Sequence, residues 1–140
     1  MGKIRAVAAA MLALSTGVIP SAASAQVNRD LYFINECRHA VRMFVYHQHA
    51  DGSYATHGWF TVQPHTPYTM LTYPNGNPLR HIDGYPVYYY AEALTGGHVW
   101  EGQTSVTFNG VGYRVMQGNL TMTSGRLQFG VNCNSDQGGK

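Results

Sequence analysis

Residues 85–102, YPVYYYAEALTGGHVWEG, constrain the fold of this chain more than any other stretch. Aromatic and apolar side chains alternate on either side of a Gly96-Gly97 step, which is the pattern of two strands joined by a tight turn. Glycine takes the φ > 0 angles such a turn demands, so the step predicts a hairpin centred on Gly96-Gly97. In that register Ala93 faces Trp100 and Glu92 faces Glu101. Alternation also sorts the side chains, with Tyr89, Ala91 and Ala93 on one sheet face and Tyr88, Tyr90 and Glu92 on the other.

The same period of two recurs along the chain. Residues 41–49 place Val41, Met43, Val45, His47 and His49 on one face, and Arg42, Phe44, Tyr46 and Gln48 on the other. Turn signals at Asp51-Gly52-Ser53, Asn109-Gly110 and Ser124-Gly125 separate further strand candidates. These cover residues 31–34, 54–62, 68–73, 104–108, 113–117, 120–122 and 126–133, with Gly58 a break in the third-mentioned run's predecessor, 54–62. Pro64 and Pro67 lack the ladder N–H and predict a corner outside the sheet, and residues 74–84 read as a long loop. No helical apolar stripe is present beyond the first 25 residues. Short strands at this spacing predict an all-β fold. The expected form is a single small antiparallel β-sandwich or partly closed barrel over residues 26–134, followed by a flexible polar tail, residues 135–140.

Residues 1–25 read as a signal peptide: Lys3 and Arg5, an apolar run over 6–18, then small residues ending at Ala25. The run is shorter than the ~20 residues that span a bilayer, so cleavage near Ala25 would leave no transmembrane segment. The expected location is the periplasm or the extracellular space. Without Lys3 and Arg5, seven of the nine basic residues remain against seven acidic ones, and no basic cluster marks a nucleic-acid surface. Cys37 and Cys133 are the two cysteines, and in an exported protein an even count predicts a disulfide. It would close a ring of 97 residues, Cys37 to Cys133 inclusive, worth roughly 4–5 kcal/mol in the chain-entropy model.

Several of these anchors resemble a family of short exported bacterial domains of unknown function, the family numbered ten-thirty-six. The matching elements are Asn35-Glu36-Cys37, the alternating strand over residues 41–46, and Gly58-Trp59-Phe60-Thr61-Val62-Gln63-Pro64. Tyr88-Tyr89-Tyr90-Ala91 and Trp100-Glu101-Gly102 complete the pattern, which spans about residues 31–108. Where the family carries Gly-x-Cys after this proline, His65-Thr66-Pro67 stands here. The resemblance implies an exported β-domain and transfers no catalytic residue.

Three constellations can carry function. His47 and His49, two apart on a strand, point to one side and can share a metal ion; His57, across the turn, is the nearest third ligand. His39, His65 and the two glutamates are further candidates. An all-N/O set suits Zn or Cu. Glu92 and Glu101, directly opposed, would sit about 4.5–5.5 Å apart at Cβ and would need a shared proton, an Arg or a metal, or could act as a glycosidase-type acid/base pair. Trp59, Tyr88, Tyr90 and Trp100, with the two glutamates, could line a groove for a protein or glycan of the cell envelope. No nucleophile elbow, phosphate loop or dinucleotide fingerprint occurs. The leading expectation is an exported non-enzymatic binding module; the alternatives are a periplasmic Zn or Cu protein and a small carboxylate-pair glycan hydrolase.

Overall fold

In a computed structural model, residues 27–134 and Gly17 are described. The signal-peptide reading and the tail reading fall outside them. The described chain is all-β, with eleven strands in two sheets.

The first sheet runs β10-β11-β1-β4, where β1 is Asn28–Asn35, β4 is Thr66–Met70, β10 is Thr121–Thr123 and β11 is Arg126–Val131. Strand β5, Arg80–Ile82, pairs with the start of β1. The second sheet runs β3-β2-β6-β9-β8: β2 is Val41–Gln48, β3 Tyr54–Val62, β6 Val87–Ala93, β8 Thr104–Phe108 and β9 Val111–Gln117. The short β7, Val99–Trp100, pairs with the end of β6. Between the sheets Leu31, Phe33, Val41, Met43, Val45, Leu71, Tyr89, Trp100 and Phe129 form the main core. The second sheet curls into a half-barrel around another cluster, Phe44, Tyr90, Phe108 and Val115 flanked by Trp59, Tyr88 and Tyr113. The alternation in β2 and β6 therefore sorts side chains between two apolar interiors, not between a core and water.

All sheet pairs are antiparallel except one. β1 and β11 run parallel, from Leu31↔Leu127 to Asn35↔Val131. Their constant offset carries on two residues and sets Cys37 against Cys133, which form a disulfide with Cα atoms 5.0 Å apart. The bridge and the parallel ladder thus share one register. Buried Asn35 ties the same corner down: its amide donates to the carbonyls of His39, Val62 and Gln63, and its Oδ1 accepts from the Cys37 N–H.

Three local expectations need correction. The hairpin closes with Ala91↔Trp100 and Glu92↔Val99, and the Ala93 N–H donates to the His98 carbonyl, so four residues, 94–97, make the loop. Both Gly96 and Gly97 do take positive φ. The His39 ring packs against the loop so closely that a Cβ on Gly96 would come within 2.7 Å of Nε2. Pro67 lies within β4, which tolerates it because β4 is an edge strand with a register shift opposite residues 33–35. Residues 74–84 are not all loop, since they hold β5. The turns at Asn109-Gly110 and Ser124-Gly125 lie where expected, with positive φ at both residues of each.

Candidate metal centre

One end of the β2–β3 ladder gathers histidines. His47 and His49 share a side of the β2 line, as period two requires. His57 joins them through a bulge. Val41↔Val62 and Met43↔Phe60 are followed by Phe44↔Gly58 and Val45↔His57, so Trp59 is the extra residue. By plain alternation from buried Val62, with Trp59 counted as an ordinary strand residue, His57 would face the half-barrel interior. The bulge reverses the parity and turns it toward the main core, beside His47. Gly58 is required there, because its φ is +146° and a Cβ would meet Phe44 Cβ at 2.8 Å.

One ring nitrogen from each of His47, His49 and His57 lies within 4.8 Å of the other two. His49 Nε2 and His57 Nε2 are hydrogen-bonded at 3.2 Å. His47 is fully buried, whereas His49 and His57 are half-buried, so the cluster opens outward. His57 also borders an open hollow of about 450 Å³, walled by Trp59, Phe60 and Tyr73. A fourth imidazole, His81 of β5, reaches in from the other sheet with its Nδ1 3.3 Å from His47 Nδ1. His47 Nε2 is buried without a hydrogen-bond partner.

Burial disfavours the charged form of three of them, His47, His57 and His81. Burial, reinforced by His81, His57 and His49, lowers the His47 pKa to about 3. Burial, then His49, lowers that of His57, and burial lowers that of His81 against the opposing pull of the Tyr85 carbonyl and Asp83. A neutral imidazole offers a lone pair, the form a metal needs. With Zn–N bonds of about 2.0–2.1 Å, tetrahedral ligand nitrogens sit about 3.3 Å apart. The His49–His57 edge already has that length. Closing the third vertex from at most 4.8 Å takes an inward shift of no more than about 1.5 Å.

The other expected residues divide. His39 Nδ1 contacts the Thr95 hydroxyl at 2.8 Å, and His65 occupies a positive-φ position beyond β3; neither is part of the cluster. Glu92 and Glu101 are not opposite each other. Glu92 faces Val99 across β7 and is engaged by the Arg42 guanidinium, and its Oε2 accepts from Tyr90 Oη at 3.0 Å. The aromatic set does not form one groove. Trp100 is buried in the main core, while Trp59, Tyr88 and Tyr90 belong to the half-barrel cluster, separated from it by the sheet. Burial and the Glu92 contact push the Tyr90 hydroxyl far above its ordinary value.

No family model, curated protein or solved structure matches this chain.

His81 is the residue that sequence reasoning missed. Its only local signal is the alternation Arg80-His81-Ile82, too short to distinguish a strand from a loop.

Proposed function

We propose that this is an exported metal-binding protein, with His47, His49 and His57 as ligands to a Zn or Cu ion. One observation carries the reading: three imidazole nitrogens converge within 4.8 Å around His47, whose Nε2 is buried without a hydrogen-bond partner. Buried polar atoms are nearly always satisfied, so an orphan ring nitrogen beside two further imidazoles calls for a partner, which a metal ion would supply by displacing the proton shared between His49 and His57. A set of three imidazole nitrogens suits either ion. Three protein ligands leave a fourth position for water or an incoming donor.

Export is part of the proposal. Its supports are the basic-apolar-small order of residues 1–25 and the Cys37–Cys133 disulfide, a bond that persists in oxidising compartments. Among the described residues no helix is long and apolar enough to cross a membrane. The likeness to the ten-thirty-six domains fits the same picture of an exported β-domain.

The test is metal content of the purified, oxidised protein by mass spectrometry, followed by titration with Zn and with Cu. One ion per chain at micromolar affinity or tighter, lost in H47A/H49A, is the expected result. A protein that takes up neither ion, or a double variant with unchanged affinity, would refute the reading and leave a partner-binding module.

A further inference from the structure

The geometry points to His81, with the main-chain carbonyl of Tyr85, as the positioning pair that presents His47 Nε2 to the metal. The inference rests on the metal reading above and adds a fourth histidine that is not itself a ligand.

The argument follows the protons. His81 Nε2 lies 2.7 Å from the Tyr85 carbonyl oxygen. A carbonyl can only accept, so Nε2 carries the hydrogen. A neutral imidazole has a single N–H, which leaves a lone pair on His81 Nδ1. That nitrogen is 3.3 Å from His47 Nδ1. The hydrogen between them has to come from His47, whose own single N–H is thereby placed on Nδ1. His47 Nε2 is left as a bare lone pair, and it is the atom buried without a partner.

Each step is set by tertiary structure. β5 pairs with β1 through Arg29↔His81, so His81 belongs to the first sheet while His47 belongs to the second. The Tyr85 N–H donates to the Ile82 carbonyl at 3.2 Å, which folds the acceptor back over the end of β5. Both imidazoles are buried, so water does not compete for the shared proton. A metal-bound histidine usually donates its second N–H to an outer partner that fixes its tautomer and orientation. Here the partner is a second imidazole, itself fixed by a carbonyl.

Two substitutions separate this role from simple packing. H81L fills the site but removes the acceptor, whereas H81N can place its Oδ1 where His81 Nδ1 stood. Nitrogen NMR of the metal-free protein reads the His47 tautomer directly, and Zn titration reads the consequence. The wild type should carry its proton on His47 Nδ1. H81L should move that proton toward Nε2 and weaken Zn binding roughly 10–100-fold, and H81N should restore both readouts. A wild-type His47 protonated on Nε2 would overturn the inference, and so would H81L binding Zn as tightly as the wild type. A wild type that binds no Zn or Cu removes the metal reading and this inference with it. One that binds, with H81L unaffected, removes this inference alone.

Discussion

Acid should destabilise the metal-free protein through His47. Its pKa in the folded protein is about 3, against 6.5 for an ordinary imidazole, because it is buried and faces His81 of β5, His57 of β3 and His49 beside it. Unfolded chains take up this proton near pH 6.5, while the folded protein refuses it until about pH 3. The unfolded state binds more protons throughout that window, so stability is intact above pH 6.5 and is lost as pH falls. One such group removes about 1.4 kcal/mol per pH unit, or about 2 kcal/mol between pH 7.5 and pH 5. His57 and His81 are shifted in the same direction and add to the loss. The assay is urea unfolding in a chelator at pH 7.5, 6 and 5. H47L should flatten the dependence by about one proton. A wild type equally stable across this range, or an H47L variant with the wild-type slope, would refute the assignment of a buried neutral His47.

Three further outcomes follow from the packing. Reducing the disulfide, or the variant C37S/C133S, should lower stability by up to about 5 kcal/mol, because the bridge closes nearly the whole domain; denaturant midpoints with and without reductant measure it. N35A leaves the Cys37 N–H and the carbonyls of His39, Val62 and Gln63 without their shared partner. It should cost about 2–4 kcal/mol, and a value near zero would mean that this corner repacks freely. F44A empties the half-barrel cluster, where Phe44 meets Trp59, Tyr90, Phe108 and Tyr113 at ring distances of 4.6–5.8 Å. A loss of about 3–5 kcal/mol in urea unfolding would show that this second interior stabilises the fold as a true core does.

Much of the fold was legible because its signals are local. Residues 41–49 alternate, and the inward set Val41, Met43, Val45 and His47 is buried in the structure. Asn109-Gly110 and Ser124-Gly125 turn where their φ > 0 tolerance allows. The shared side of His47 and His49 needed only the strand period. The hairpin register was misplaced because two glycines mark where a turn can form but not how many residues the loop takes, and four, 94–97, make it here. The glutamate pairing failed with that register.

The sequence alone determined the class, all-β with one disulfide, and the proximity of two histidines, since strand period, turn chemistry and cysteine count are properties of neighbours in the chain. Tertiary structure alone decided the rest. It set the parallel β1–β11 ladder that aligns Cys37 with Cys133, and the bulge at Trp59 that turns His57 inward. It also curled the second sheet around its own aromatic interior and brought His81 across the sandwich to His47. Each of these depends on pairing between segments distant in the chain, and a strand's own residues record which way they alternate but not which partner, or which offset, they meet.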